Sequence, residues 1–221
     1  MDFKTSNCYN HKIVKEKSFL RKYDTKSITL GGAMEQDTRR DKLKLNVLNE
    51  VDELEHFHQD IELLYVLEGK LDVVIGEQTT HMKENDVLVV NANKKHALSG
   101  SENVLYMQIM ISYNLVSDVL KSIDIIFWCD STKDESDRYD ELRKILRALL
   151  NHYLETHGNT ANFGHIALCY RVMDILSMYF LVQAADRENM DDKDKFEDRI
   201  LQINNYIRAN YNQPISLKDL A

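Results

Sequence analysis

The chain has 221 residues, a formal net charge of −8 and 43% hydrophobic residues. This length can bury a core in one large domain or, as we expect, in two smaller ones, and the acidic balance excludes an overall basic footprint for nucleic acid. Three scattered cysteines, no signal peptide and no run of roughly 18 apolar residues predict a cytoplasmic protein without a disulfide framework or a membrane span.

The N-terminal half shows the two-residue period of β-strands. Residues 1–25 have no clear period and are interpreted as an arm, and residues 27–30 favour a short strand that ends at Gly31. From Lys42 to Leu48, leucine and valine alternate with lysine and asparagine, which predicts a strand with one buried face. Residues 52–55 are acidic and are interpreted as a turn.

The stretch from His56 to Glu62 holds two imidazoles and a carboxylate. Side chains alternate between the two faces of an extended strand, so His56, His58 and Glu62 are predicted to share one face. That face can form a metal site or the polar floor of a pocket. Turns at Gly69 and Gly76 then predict a β-meander that continues to residue 82.

Two more strands, at 86–90 and 104–111, are predicted to complete a small barrel, with a turn at 91–95. Leu64 and Val66 have inward parity, so we interpret them as candidates for the wall of a ligand pocket. Tyr65 has the opposite parity and is predicted to pack against helices. Trp128, the sole tryptophan, is interpreted as a core anchor rather than a platform for a sugar ring.

From Asp134 onward, apolar residues recur every three or four positions, which predicts an amphipathic helix that ends near Gly158. A second, mostly apolar helix is predicted from 162 to 183, antiparallel to the first. Because its apolar residues lie on more than one side, we expect the pair to pack on the barrel and on a second subunit. The alternative is a purely intramolecular hairpin.

The charged stretch 185–194 favours a solvated linker, although a solvated helix end has the same composition. Helical spacing resumes at Ile203 and is interrupted by Pro214. Ser216 and Asp219 then have the spacing of a capping box, which predicts the start of another helix.

Four residues fit the first cupin motif, H-x-H-x3-E-x6-G, at every spacing; they are His56, His58, Glu62 and Gly69. His96 matches the histidine of the second motif, G-x5-P-x-G-x2-H-x3-N, while asparagines at 85, 91 and 93 and a glycine at 100 replace its other defined residues. The chain therefore resembles a cupin. The resemblance implies a double-stranded β-helix barrel whose ligand-binding and metal candidates are His56, His58, Glu62 and His96.

Two interpretations of these four residues remain open. Three imidazoles and a carboxylate suit a divalent ion such as iron, manganese, nickel or zinc. The same groups can also satisfy one another as a hydrogen-bonded polar cluster. The remaining candidate histidines, at 81, 152, 157 and 165, have no ligand spacing and are assigned no role.

The last residues resemble the start of the DNA-binding domain of AraC-type transcription regulators. The segment 203–221, INNYIRANYNQPISLKDLA, is similar to the first helix of that domain and the opening of its first helix-turn-helix unit. The resemblance implies a barrel that senses a small molecule such as a sugar. It also implies a homodimer formed through residues 134–185, and DNA as a partner of the full-length protein.

We therefore predict a mainly β fold with α: a cupin-like barrel, a helical hairpin and the first helix of a truncated helix-turn-helix domain. The barrel with its arm spans 1–115, the helical dimerisation region 116–185, the linker 186–196 and the start of the DNA-binding domain 197–221. Sequence readout needs a recognition helix in the major groove, so we expect no specific DNA binding by residues 1–221 alone.

Two classes of function fit this organisation. The first is a transcription regulator that is not an enzyme, in which occupancy of the barrel shifts the population of dimer states. The second is a metal-dependent cupin enzyme, an isomerase or dioxygenase, whose metal ligands are the same four residues. Segment 203–221 favours the regulator, because an enzyme has no need of it, and no catalytic residue is assigned.

Overall fold

The computed structural model describes residues 43–49, 51–122, 125–134, 136–159 and 162–182, together with 203, 206, 207, 210–216 and 218. The predicted arm, the strand at 27–30 and the linker at 186–196 lie outside the described residues. The same holds for much of the segment assigned to the DNA-binding domain.

Eight strands form two four-stranded antiparallel sheets. The strands are β1 (Leu43–Leu48), β2 (Asp52–His56), β3 (Ile61–Glu68), β4 (Lys70–Ile75), β5 (Gln78–Lys83), β6 (Val87–Val90), β7 (His96–Gly100) and β8 (Leu105–Ile111). One sheet has the order β1-β8-β3-β6 and the other the order β2-β7-β4-β5. This arrangement confirms the predicted mainly β architecture.

The predicted meander is wrong, because β3 and β4 belong to different sheets. β3 pairs with β6 and β8, whereas β4 pairs with β5 and β7. The chain crosses between the sheets at Gly69, whose φ is +79° and whose hypothetical Cβ would lie 2.9 Å from Asn103 O. Only the β4–β5 hairpin around Gly76 follows the prediction. Gly69 is thus a sheet-crossing residue that another side chain would obstruct.

The acidic stretch predicted as a turn is strand β2, and β7 was not predicted at all. β2 is an edge strand that pairs only with β7. Charged side chains are common on edge strands, because they discourage pairing with other chains. A cluster of acidic residues is therefore as compatible with an edge strand as with a turn.

The two faces of the β1-β8-β3-β6 sheet carry two separate sets of buried side chains. The inner cluster lies between the two sheets and comprises Leu64, Val66, Leu71, Val73, Met82, Leu88, Val90, Leu98, Val104 and Tyr106. The outer cluster lies between this sheet and the helices, and its strand residues include Leu63, Tyr65, Leu67, Leu105, Met107 and Ile109. The predicted parities of Leu64, Val66 and Tyr65 therefore agree with the structure.

Three helices cover the outer face: α1 (Tyr113–Leu120), α2 (Arg138–Glu155) and α3 (Phe163–Tyr179). α2 buries Tyr139, Leu142, Leu146 and Leu149 at helical spacing in the outer cluster. α3 begins after Asn162, whose side chain accepts a hydrogen bond from the backbone N–H of His165. α1 was not predicted, and no helix in the described part of the chain is long and apolar enough to cross a membrane.

The prediction for Trp128 is wrong. Its side chain is 63% exposed, whereas the neighbouring Phe127 and Cys129 are buried in the outer cluster. The backbone N–H of Trp128 donates to Phe180 O at 2.7 Å, which fixes this extended segment beside the end of α3. In an extended segment, burial of both neighbours points the intervening side chain outward.

Candidate metal centre

The four predicted ligands come from both sheets and meet at one end of the barrel. His56 ends β2, Glu62 lies in β3, and His96 begins β7 directly opposite His56. His58 lies in the loop between β2 and β3, so the predicted continuous strand from His56 to Glu62 is wrong. The residues nevertheless converge, because the loop returns His58 to the position above Glu62.

The distances within this His/Glu centre are short. The three imidazoles each offer a ligand atom within 4.8 Å of the others. Oε2 of Glu62 lies 3.3 Å from Nε2 of His58 and 3.0 Å from Nε2 of His96. Glu62 and His96 are almost fully buried, whereas His56 and His58 are partly open to solvent. The described residues thus bring the four predicted side chains together.

Each imidazole is held in the same orientation by its own backbone. Nδ1 of His56 lies 2.9 Å from Leu54 O, Nδ1 of His58 lies 2.9 Å from Asp60 O, and Nδ1 of His96 lies 2.8 Å from Lys94 O. A carbonyl can only accept, so Nδ1 carries the proton in all three rings. In the neutral rings the lone pair is therefore on Nε2, the atom that faces the centre and can ligate a metal.

Glu62 is fixed by a chain of amide hydrogen bonds on the opposite side from the histidines. Gln108 Nε2 donates to Oε1 of Glu62 at 2.7 Å, and Asn46 Nδ2 donates to Oε1 of Gln108 at 3.0 Å. Burial by itself raises the pKa of Glu62, but its close contacts with His58 and His96 and the hydrogen bond from Gln108 outweigh burial and lower the pKa to about 2. Glu62 is therefore an oriented carboxylate with Oε2 directed to the imidazoles.

His96 supplies the test of whether a metal fits. Its Nε2 is buried and lies 3.0 Å from Glu62 Oε2, yet the two atoms are not aligned for a hydrogen bond. Burial lowers the pKa of His96, but contact with Glu62 and with the Lys94 carbonyl raises it overall. A lone pair beside a carboxylate needs either a proton or a cation between them. The donor set and its orientation fit a divalent ion.

The departures from the second cupin motif preserve its backbone conformation. Asn85 and Asn93 replace two glycines of the motif, and both have positive φ, 73° and 61°. Asparagine is the residue that tolerates this left-handed conformation best after glycine. The backbone N–H of Asn93 donates to His58 O at 2.7 Å, and Asn91 bonds the backbone of Phe127 through its side-chain amide. The loop before His96 is therefore firmly placed.

Leu64 and Val66, the predicted pocket residues, lie deeper in the barrel within the inner cluster, and both are fully buried. Tyr106 lies in the same cluster, and its hydroxyl is buried without a hydrogen-bond partner. Burial, and then the charges of Glu53 and Glu62, raise the pKa of this hydroxyl above its ordinary value. The role of Leu64 and Val66 as ligand contacts stays a prediction.

Sequence reasoning missed Glu53. Strand alternation places Glu53 and His56 on opposite faces, but the pairing of β2 with β7 shifts register between them. A shift of this kind, as in a β-bulge, brings both side chains to the same side. Oε2 of Glu53 lies 3.7 Å from Nε2 of His56. Burial, and then the charge of Glu62, raise the pKa of Glu53.

Three other described histidines, at 81, 152 and 165, take part in separate contacts. Nδ1 of His81 lies 2.8 Å from Asp72 Oδ1 on the surface. Nε2 of His152 lies 2.7 Å from Asn162 Oδ1, and Nε2 of His165 lies 3.5 Å from Cys169 Sγ between α2 and α3. Among the residues that the structure describes, only His56, His58 and His96 form a group of three potential metal ligands.

The profile of the cupin domain matches residues 49–110, the part of the chain that carries the His/Glu centre. These residues form a cupin domain. Its two antiparallel sheets confirm the predicted cupin-like barrel. Three imidazoles of this cupin domain, those of His56, His58 and His96, could hold a divalent metal, and such an ion would act as a Lewis acid on a bound molecule.

Several solved structures are similar to part of the chain. A conserved protein of unknown function from Streptococcus pyogenes is 22% identical over 33% of this chain and 67% of that one, with a TM-score of 0.31. A cupin-like protein from Thermotoga maritima is 17% identical over 38% and 67%, with a TM-score of 0.32. The EutQ protein of Clostridium difficile is 12% identical over 36% and 64%, with a TM-score of 0.31. No curated protein sequence matches the chain.

Proposed function

We propose that the chain is the effector-sensing and dimerisation portion of an AraC-type transcription regulator, and that it is not an enzyme. The observation that carries this proposal is the union of a cupin domain with segment 203–221, which resembles the start of that family's DNA-binding domain. The described part of this segment supports a helix, since Asn210 Nδ2 donates to Tyr206 O at 2.9 Å and a turn follows before Pro214.

The effector is a small molecule, such as a sugar, that binds at the His/Glu centre. The partly open side of the centre at His56 and His58 gives it access to solvent. The buried, unpartnered hydroxyl of Tyr106 offers a further polar group within the barrel. Small-molecule sites typically combine apolar walls with a few oriented polar groups, and the inner cluster with the His/Glu centre has this composition.

Hydrogen bonds connect the cupin domain directly to α2. A structural change caused by effector binding in the barrel can be transmitted to the helices through these bonds. Arg143 Nε donates to Asn85 O at 2.9 Å, and Arg147 Nη2 donates to Asn85 Oδ1 at 2.8 Å. Arg147 Nε also donates to the hydroxyl of Tyr65, on the outer face of β3. Asn85 begins the loop region that leads through β6 to His96. A shift of this loop region therefore moves Asn85, the residue to which Arg143 and Arg147 of α2 are hydrogen-bonded.

α3 presents the surface for a second copy of the chain. Its solvent-exposed side carries an apolar stripe composed of Phe163, Ile166, Tyr170 and Met178. The first three follow one another at three- and four-residue spacing, so they lie along one side of the helix. Exposed apolar side chains in a contiguous row mark interaction surfaces more often than scattered ones do.

The dimer is tested by the mass of the protein in solution. We expect a dimer at micromolar concentration and a monomer after Phe163→Asp combined with Tyr170→Asp, because the charges oppose burial of the stripe. Val119→Asp on α1 is the matched control, since Val119 is also apolar and exposed but lies outside the stripe. A wild-type monomer would count against the dimer.

The regulator is tested by RNA sequencing of the organism that encodes the protein, with and without its gene. We expect a limited set of transcripts to change and to recover when the wild-type gene is returned. A gene encoding the Glu62→Ala variant is expected to return the protein to its normal level in the cell, but not to return the response of the transcripts to the effector. Unchanged transcripts across sugars and small acids as growth substrates would contradict the proposal. A thermal-shift screen of the same compounds identifies the effector, since binding to the folded state raises Tm.

A second candidate is a metal-dependent cupin enzyme, for which the three clustered imidazoles of the His/Glu centre are the supporting observation. A metal with open coordination positions can activate a bound substrate. Turnover of any compound that raises Tm, measured with stoichiometric metal, separates this candidate from the regulator: a sensor releases its effector unchanged.

A further inference from the structure

Two histidines and a cysteine form a polar cluster where the end of α2 meets the start of α3. His152 lies in the last turn of α2, and His165 and Cys169 lie one helical turn apart in α3. The imidazoles of His152 and His165 are nearly parallel, with 6.5 Å between their centroids and 28° between their planes. His165 and Cys169 are almost fully buried, whereas His152 is partly exposed. The two helices therefore meet through ionisable groups at this point.

His152 is hydrogen-bonded to the N-cap of α3. Asn162 Nδ2 donates to Asn159 O at 2.7 Å, which fixes the orientation of the Asn162 amide. Asn162 Oδ1 accepts from the backbone N–H of His165 at 2.8 Å and lies 2.7 Å from Nε2 of His152, so this ring nitrogen carries a proton and donates. The same ring packs on Gly164, where a Cβ would lie 2.8 Å from Cε1 of His152. His152 therefore holds the first turn of α3 against α2.

The surroundings of His165 suit only the neutral form of its ring. Nε2 of His165 lies 3.5 Å from Cys169 Sγ, and its Nδ1 is buried without a hydrogen-bond partner among the described residues. A neutral ring can leave Nδ1 as a bare lone pair, whereas an imidazolium would place a buried N–H there with no acceptor. Burial, and then the charge of His152, lower the pKa of His165.

The ionisable groups near His165 do not compensate a positive charge on its ring. His152 faces His165 from α2 and repels it when both rings are protonated. Cys169, on the same helix, stays a neutral thiol because burial raises its pKa to about 12. Glu155 and His157, at and beyond the end of α2, are exposed to solvent. Among the described residues, no carboxylate shifts the pKa of His165.

We propose that His152 and His165 form a pH-sensitive switch, in which protonation of His165 releases the first turn of α3 from α2. The proton creates a buried cation without an acceptor, beside a second imidazole and at the positive end of a helix dipole. Phe163 and Ile166, which begin the exposed apolar stripe, lie in the same turn, so its release displaces them. The switch is independent of the His/Glu centre and of the proposed regulator.

The direction of the pH dependence follows from the preference for the neutral ring. Because folding disfavours protonated His165, the contact is complete above the ordinary pKa of 6.5 and weakens as the pH falls below it. Glu62 loses its contribution to stability only below pH 4.5, and His96 loses its contribution as the pH rises. A loss of structure between about pH 7.5 and about pH 5 is therefore distinguishable from both.

Amide hydrogen exchange of residues 166–170, expressed as protection factors at about pH 7.5 and about pH 5, tests the switch. We expect wild-type protection to fall by roughly tenfold or more at the lower pH, while residues 142–149 of α2 keep theirs. His165→Gln removes the titrating ring, so its protection should not depend on pH. His152→Gln retains a donor for Asn162 Oδ1 without the second charge, so the fall should be smaller. His81→Gln is the matched control, since His81 pairs with Asp72 on the surface.

The inference is supported by a fall that is confined to the start of α3, absent from His165→Gln and unchanged in His81→Gln. Equal wild-type protection at both pH values would overturn it. A fall that persists in His165→Gln, or one of the same size throughout the barrel, would also overturn it. Where His165→Gln does not fold, His152→Gln decides: an undiminished fall in that variant would show that the two rings do not act together.

Discussion

The inner and outer faces of the β1-β8-β3-β6 sheet both carry buried side chains, but they differ in how their polar groups are satisfied. On the outer face, the hydroxyl of Tyr65 donates to Asn85 Oδ1 at 3.0 Å and accepts from Arg147 Nε at 3.1 Å. On the inner side, the hydroxyl of Tyr106 in this sheet and Nε2 of His96 in the facing sheet are buried without an aligned partner. The polar groups of the outer face are therefore satisfied within the chain, whereas two polar atoms on the inner side have no hydrogen-bond partner in the described residues.

The largest effect is expected from removing packing on the outer face. Leu146 is fully buried between α2 and the sheet, so Leu146→Ala should lower the free energy of unfolding by about 3 kcal/mol through lost contacts and a cavity. Urea unfolding measures this loss. Ile145→Ala, one residue away and only partly buried, should cost less. Mn²⁺ affinity of folded Leu146→Ala should equal that of the wild type; a large drop would show that the two faces are not independent.

An effect of similar size on the free energy of unfolding is expected when Glu62, on the inner face, is protonated in metal-free protein. The pKa of Glu62 falls from 4.5 to about 2 in the folded state, which corresponds to roughly 3 kcal/mol of stability. Because folding favours the ionised carboxylate of Glu62, this group stabilises the fold fully above pH 4.5. The stabilisation is lost as the pH falls toward about 2. Glu62→Gln should flatten this acid limb of the curve of unfolding free energy against pH.

The contribution of His96 to the free energy of unfolding changes with pH in the opposite direction. Its pKa is raised above 6.5, so its contribution is complete below pH 6.5 and is lost as the pH rises through the folded-state pKa. Metal binding needs the neutral ring, so Mn²⁺ affinity should instead increase over this range. Metal-free stability that does not decline above pH 6.5 would contradict the assigned environment of His96.

A smaller effect separates the two buried tyrosines. Tyr65→Phe removes the hydrogen bond to Asn85 Oδ1 and the one from Arg147 Nε, so we expect it to lower the free energy of unfolding by about 1–2 kcal/mol. Tyr106→Phe removes a hydroxyl that has no partner, so metal-free stability should stay the same or increase. Thermal or urea unfolding of both variants measures the difference. Equal destabilisation by the two changes would show that the hydroxyl of Tyr106 is satisfied in the free protein.

The smallest effect concerns the loop that places His96. Asn93 has a φ of 61°, which glycine adopts freely and alanine does not. Asn93→Gly and Asn93→Ala both remove the side-chain amide, so their difference isolates the backbone. We expect the alanine variant to be less stable than the glycine variant by about 1 kcal/mol. Equal stabilities would mean that this residue does not need the left-handed conformation.

Local patterns predicted what depends on neighbouring residues. The two-residue period placed Tyr65 on the outer face and Leu64 on the inner one, as the structure has them. The three- and four-residue period predicted the buried side of α2. Local patterns failed where distant segments decide the outcome. β3 and β4 were predicted to follow one another in one meander, although β3 pairs with the remote β8. Trp128 was predicted to lie in the core together with the apolar residues 125–127, although its side chain is exposed.

The sequence by itself determined that two histidines, a glutamate and a third histidine occur at the spacings of a cupin, and which side chains alternate toward the barrel. It did so because strand parity and motif spacing are properties of consecutive residues. Only the tertiary structure decided that Glu53 lies beside His56, because a register shift against β7 separates the two residues and reverses the expected parity. Pairing between segments far apart in the chain sets that register, and no local pattern encodes it.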